Sequence, residues 1–151
     1  AKQARVEKVE KRIAKYLFPF TKLEANEYQK QAQSYIEWVK DSLKSKSPRL
    51  NWEDEVRVYS FVSSVKAGGQ QRQKTRTAVR LTHLPTLISV KNENERSFEQ
   101  NKQQARTALL EKLEEHLKLW QTLVRNSLIP IDIENKVFSL AETQKGQKDL
   151  G

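Results

Sequence analysis

Hydrophobic positions recur at helical spacing along the start of the chain. Val6, Val9, Ile13, Tyr16 and Leu17 fall on one face, and Pro19 stops that helix because proline lacks an N–H and blocks the preceding turn. Tyr28, Ala32, Tyr35, Ile36, Val39 and Leu43 mark a second amphipathic helix, which decays into Ser42–Pro48, a Lys/Ser segment that reads as a linker. The period then changes. Val56, Val58 and Ser60 alternate with Arg57, Tyr59 and Phe61, the two-residue repeat of a strand of roughly seven residues. Ala78–Leu84 and Leu87–Lys91 read as two more strands, joined by a tight turn at Leu84-Pro85-Thr86-Leu87, where the fixed φ of proline suits the second position.

A long helix follows. Ser97-Phe98-Glu99-Gln100 has the form of a capping box, in which serine and glutamine side chains satisfy free backbone donors. Leu109, Leu113, Leu117, Trp120, Val124 and Leu128 then make a stripe at spacings of four and three, and Pro130 ends the helix. A three-stranded sheet has one face to bury, and this stripe is the obvious cover. The expected fold is α+β: a small, three-stranded, mainly antiparallel sheet covered by a long helix, with an appended N-terminal helical arm. The division that goes with it is a basic helical arm at 1–49, a central domain at 50–128 and a C-terminal tail at 129–151.

Composition narrows the function. The chain has 151 residues, 28 Lys+Arg against 19 Asp+Glu and a net charge of +9, with only 36% apolar residues to build a core. Cysteine is absent, which excludes disulfides, thiol catalysis and thiolate-bound metal. His83 and His116 are the only histidines and lie far apart, so neither a metal site nor a cofactor is expected. No stretch approaches the roughly 20 apolar residues that span a bilayer, and no membrane partner is expected. A basic chain of this kind meets RNA or DNA.

Charge is unevenly spread. Residues 1–49 carry 12 basic and 6 acidic side chains, whereas residues 129–151 carry 3 and 4. From Val56 to Asn92 there is no Asp or Glu at all, yet Arg57, Lys66, Arg72, Lys74, Arg76, Arg80 and Lys91 lie there. Between the first two strands runs Val65-Lys66-Ala67-Gly68-Gly69-Gln70-Gln71-Arg72-Gln73-Lys74-Thr75-Arg76-Thr77, too long for a simple hairpin turn. Gly68-Gly69 permits positive φ and close approach to another molecule. Gln70 brings an amide and a backbone N–H to the tip, flanked by Lys66, Arg72, Lys74 and Arg76, which would hold phosphates. The competing reading is an ordinary Gly-Gly turn with solvated cations. A dinucleotide fingerprint or phosphate loop is excluded, because the required glycine and Lys-Ser/Thr spacings are absent.

The wider run sharpens the choice. Residues 66–105 hold Gly68-Gly69-Gln70, Thr82-His83-Leu84-Pro85-Thr86, Glu95-Arg96-Ser97 and Asn101-Lys102 in that order. This combination resembles the GGQ catalytic domain of class I peptide chain release factors of bacteria and organelles. The resemblance is weaker from Leu50 to Val65. It departs from the family pattern at Lys66, where a glycine is usual, at Gln73, where an asparagine is usual, and at Leu87, where a glycine is usual.

The resemblance implies hydrolysis of the ester between nascent peptide and tRNA in the peptidyl-transferase centre. Gly68, Gly69 and Gln70 are then the catalytic residues: the Gln70 backbone N–H would stabilise developing charge, and its side chain would place water and would be a site of N-methylation. A preorganised backbone donor aimed at developing charge is an oxyanion-hole device. Lys66, Arg72, Lys74, Arg76 and Arg80 are the candidate RNA-binding residues. The implied partners are the large ribosomal subunit, ribosomal RNA and peptidyl-tRNA.

A decoding release factor is far longer and carries a stop-codon-reading domain, so the expected activity is codon-independent, as in ribosome-rescue factors. Rescue factors end in a basic tail, whereas residues 129–151 carry a net charge of −1. The alternative is a constitutive protein of the mitochondrial large ribosomal subunit, descended from a release factor. A third is an RNA-binding protein that borrowed the fold. The expected location is mitochondrial, with bacterial cytoplasm or plastid as alternatives. Glu7, Glu10, Glu24 and Glu27 argue against reading the basic arm as a transit peptide or a membrane-surface helix.

Remaining residues carry two readings each. His83 is expected to be a structural, hydrogen-bonded residue and His116 a solvated one on the polar side of the long helix. Trp120 fits the core, while Trp38 and Trp52 read equally as core or as base-stacking rings.

Overall fold

The computed structural model describes residues 2–62 and 76–150, with the side chains of 3–62 and 76–145. The chain forms two compact units, one from Ala1–Arg49 with Glu114–Gly151 and the other from Leu50–Leu113.

In the second unit, helix α3 (Trp52–Glu55) leads into strand β1 (Val56–Phe61), followed by β2 (Ala78–His83) and β3 (Ser89–Asn92). All neighbours are antiparallel, in the order β1-β2-β3. Asn51 starts α3 by accepting the Glu53 and Asp54 backbone N–H groups at 3.2 and 3.1 Å, the usual device for satisfying free donors at a helix start. Register sets the two faces. Val58, Leu81 and Val90 stand in one row, and Tyr59, Arg80 and Lys91 in the next, on the opposite face. Helix α4 (Phe98–Asn126) begins with the Gln100 N–H donating to Ser97 Oγ at 3.3 Å, the serine half of the expected capping box. Its first half packs on the sheet, burying Ala105, Leu109 and Leu113 with Val79 and Leu81. Each such leucine contributes about 1.5–3 kcal/mol by leaving water. The α+β class and the helix-covered antiparallel sheet are as expected.

The other unit is helical. Helix α1 (Lys2–Tyr16) buries Val9 and Ile13, and the chain continues through a 3₁₀ turn (Phe18–Lys22) that opens with Pro19 and buries Phe20. Helix α2 (Ala25–Ser45) buries Ala32, Tyr35, Ile36, Trp38 and Val39. Its end is no loose linker. Lys46 takes a left-handed φ of 61°, the Ser47 N–H returns to Ser42 O at 3.2 Å, and buried Ser42 Oγ accepts the Arg49 N–H at 2.9 Å. Trp38 Nε1 donates to Arg49 O at 2.7 Å, which resolves that tryptophan as core.

Three points differ from expectation here. The apolar stripe of α4 does not serve the sheet along its whole length: Leu117, Trp120 and Leu123 are buried in the helical unit. Leu123 replaces Val124 in the buried row because a strict four-residue step drifts off a 3.6-residue helix, and Leu128 lies beyond the helix, 86% exposed. His116 is buried rather than solvated, since Tyr35 OH lies 2.6 Å from its Nε2 and Trp120 Nε1 donates to the same phenol at 2.8 Å. Residues 133–150, expected within a tail, form helix α5 (Ile133–Leu150). It buries Val137, Leu140 and Ala141 and sets Lys136 Nζ 2.6 Å from Glu10 Oε2. Among the described residues no helix is long and apolar enough to cross a membrane.

Candidate functional site

Strands β1 and β2 stay paired to their ends, with Phe61 opposite Ala78. The chain therefore leaves β1 and enters β2 on adjacent strands, and the connection between them holds the proposed chemistry. Gly68, Gly69 and Gln70, with Lys66, Arg72 and Lys74, lie outside the described residues. What can be built from the residues upward is the base that carries them.

Asn101 is the centre of that base. It is fully buried in the first turn of α4, and its side-chain oxygen accepts the Glu95 N–H at 2.8 Å. Its amide donates to Thr77 O at 2.7 Å and Glu95 O at 3.0 Å. Both amide donors and one acceptor position are thus used on main-chain groups that no strand or helix satisfies. Thr77 immediately precedes β2, so one side chain ties the re-entry of the loop to the start of the long helix. Gln104 Nε2 adds a bond to Glu95 Oε2 at 3.1 Å.

The other end of the hairpin is fixed by a second buried polar pair. His83 Nδ1 and Thr86 Oγ1 are 2.8 Å apart, and Thr86 Oγ1 accepts the Ile88 N–H at 3.2 Å. The expected four-residue turn is wider in fact, closed by His83 N–H to Ile88 O at 2.8 Å and Leu87 N–H to His83 O at 2.7 Å. Leu87 carries φ 60°, a left-handed conformation that favours glycine. The third strand accordingly starts at Ser89, two residues later than expected. The Leu84 N–H donates to Glu55 O at 2.8 Å, tying this turn to α3.

Of the expected cationic residues, two are described. Arg76 is exposed at the entrance to β2, and Arg80 is exposed on β2 between Tyr59 and Lys91. Trp52 is half-buried beneath the Arg106 guanidinium, 4.9 Å from the ring centroid, so it serves as a cation–π partner. Sequence reasoning missed Asn101 as an anchor, although the Asn101-Lys102 pair stood within the resembling run. Among the described residues no group of three His, Cys, Asp or Glu side chains is placed to hold a metal ion.

A family model, the RF-1 domain, matches residues 50–128, the segment that holds the three strands and the whole of α4. The chain belongs to the RF-1 domain family. It is 36% identical over 98 residues to peptide chain release factor 2 of Staphylococcus epidermidis, covering 65% of this chain and 22% of that protein. Against peptide chain release factor 2 of Buchnera aphidicola the identity is 40% over 88 residues, covering 56% of this chain and 24% of the relative. The protein of the same name from Staphylococcus aureus is 34% identical over 98 residues. The chain thus spans about a quarter or less of the length of these relatives. The resemblance to class I release factors read from the sequence is borne out, and Asn101 and the His83–Thr86 pair are parts of an RF-1 domain.

Proposed function

We propose that this protein is a ribosome-associated, codon-independent peptidyl-tRNA hydrolase whose Gly68-Gly69-Gln70 loop acts in the peptidyl-transferase centre. The observation that carries the reading is the Gly-Gly-Gln triplet inside the matched RF-1 segment, 50–128, of a chain similar to proteins named for peptide release. The clamp at Asn101 supports it, because a donor must be held in place before the reaction if it is to favour developing charge. In this reading the Gln70 backbone N–H faces the departing 3′ oxygen, while the Gln70 side chain positions water. Gly68 and Gly69 let the backbone approach closely. Lys66, Arg72, Lys74, Arg76 and Arg80 contact RNA phosphates, and no metal or small-molecule cofactor takes part. The helical unit, with the cations of residues 1–49, would supply ribosome attachment in place of codon contacts. The proposed location is the mitochondrion, with bacterial cytoplasm or plastid as alternatives.

A second reading, a constitutive protein of the mitochondrial large subunit, is favoured by the compact helical unit built from both ends of this sequence. Peptide release from ribosomes carrying peptidyl-tRNA and an empty A site separates the two. Wild type should release peptide whatever codon is present. Gly69→Ala and Gln70→Pro, which removes the backbone N–H, should bind ribosomes but lose release by two orders of magnitude or more, while Gln70→Ala, which keeps that N–H, should lose less. Binding that survives high salt, with no release from any variant, would overturn the hydrolase reading in favour of the structural one.

A further inference from the structure

The sheet has a face that α4 does not cover. Along β1 it presents Arg57, Tyr59 and Phe61; in register with them stand Arg80 and Thr82 of β2 and Ser89 and Lys91 of β3. Tyr59 is 54% exposed, an unusual position for a large aromatic side chain in a chain with so few of them. Its ring and that of Phe61 are nearly parallel, at 19°, with centroids 6.3 Å apart, so the two make one stacked apolar shelf. Cations frame the shelf. Arg80 lies directly across from Tyr59, Lys91 lies across from Arg80, and Lys91 Nζ stands 5.9 Å from the Phe61 centroid. The three strands contain no carboxylate, and Glu93 places its Oε2 3.4 Å from Lys91 Nζ at the rim.

We infer that this face is a base-stacking platform for unpaired RNA. A stacked pair of rings with an exposed Tyr59, bordered by guanidinium and ammonium groups, matches the chemistry of a single strand, in which bases offer π-faces and phosphates offer charge. A protein partner would call for a broader face with an extended buried centre, and here the apolar area is narrow, since Thr82 Oγ1 and Ser89 Oγ, 3.2 Å apart, occupy the next row. A duplex would leave the rings unused, since its bases already stack on one another. The choice of RNA over DNA rests on the ribosomal reading above; the stacking geometry does not.

The test uses the full chain and a fluorescein-labelled, unstructured heptameric oligouridylate, followed by anisotropy, beside the same-length DNA and an RNA duplex. The single-stranded RNA should bind more tightly than the duplex. Tyr59→Leu and Phe61→Leu keep an apolar side chain over the strand but remove the ring, and each should weaken binding roughly five-fold to a hundred-fold. Tyr59→Phe should bind like wild type. Arg80→Ala should lower the salt slope by about 0.7. Equal affinity for duplex and single strand, no binding, or leucine variants that bind like wild type would overturn the platform. Preference for the DNA heptamer would equally overturn the assignment to RNA. Because binding is read on RNA alone, an inert loop at Gln70 would fail the release assay and leave this result standing.

Discussion

Both compact units bury polar side chains, and they spend them on different partners. In the unit of Leu50–Leu113, Asn101 bonds to the main chain of Thr77 and Glu95, and Thr86 bonds to the main chain of Ile88. In the helical unit, Tyr35, His116 and Trp120 bond to one another, side chain to side chain. The difference follows from what each unit has to hold. A loop-bearing sheet leaves irregular backbone whose N–H and C=O groups need partners, and buried amides and hydroxyls supply them. Helices satisfy their own backbone except at their ends, where Ser42 and Trp38 hold the Arg49 main chain, so a buried polar cluster in their interior fixes which helix faces meet. Polar burial in the first unit therefore positions a loop, whereas in the second it specifies packing.

The sharpest way to break that contrast is at Asn101. Asn101→Ala removes the partner of three main-chain groups at once, and unsatisfied buried groups cost about 1–3 kcal/mol each. We expect a loss of about 3 kcal/mol in urea unfolding. Peptide release should fall further than the unfolded fraction accounts for, because Thr77 is the strand end that receives the loop. Release that simply tracks the folded fraction would show that the clamp stabilises the domain without positioning the loop.

At Tyr35 the expected effect is smaller and depends on pH. The indole of Trp120 can only donate, so the phenol oxygen accepts it and directs its own O–H toward His116 Nε2. Burial, as the main cause, raises the Tyr35 pKa well above the ordinary tyrosine value of 10.0. The Trp120 bond offsets this in part, and Tyr16 adds to it. Above pH 10 the unfolded chain loses this proton while the folded chain keeps it, so stability present below pH 10 is lost as pH rises. The slope from this one group is about 1.4 kcal/mol per pH unit. Tyr28, only partly buried, shifts in the same direction through burial and then Glu142, and adds a weaker slope. Tyr35→Phe should cost about 2 kcal/mol at pH 8 by leaving the indole N–H unpaired. Unfolding free energies at pH 9, 10 and 11 should fall less steeply in Tyr35→Phe than in wild type. Equal slopes would show that the phenol titrates as an exposed group.

How much of this was legible beforehand divides along the same line. Alternation of residue types placed β1 at its observed residues, although only Val56 of that strand is buried, and the apolar run of β2 placed it to within one residue. The long helix was legible from its cap and its stripe. Its division was not, since nothing in a continuous stripe says which chain segment will cover each part. His116 looked polar, and its burial depends on Tyr35, 81 positions away. The terminal helix was hidden for a different reason. Residues 129–151 stood out only for their net charge of −1, although Val137, Leu140 and Ala141 already lay at helical spacing. For the candidate site, the motif at Gly68-Gly69-Gln70 was readable as sequence, whereas Asn101 acquired meaning only once its amide was seen beside Thr77. Motif residues announce themselves by type and spacing; anchors are defined by which backbone they reach.

Leu87 tests the smallest term in the comparison, the backbone itself. The turn after β2 is held by the buried His83–Thr86 pair, yet it closes through a leucine at φ 60°. A side chain with a Cβ in this region costs about 1–2 kcal/mol, and glycine escapes the cost. Leu87→Gly alone is ambiguous, because the half-buried leucine also gives up apolar contact. Leu87→Ala loses the same contact while keeping the Cβ, so the two variants together isolate the conformational term. Glycine should be more stable than alanine here by about 1 kcal/mol in urea unfolding, the reverse of their usual order within helices and strands. Should alanine prove the more stable, the polar pair is not imposing the left-handed geometry in solution. The turn would then be free to relax, and rigid backbone would belong to the Asn101 end of the hairpin alone.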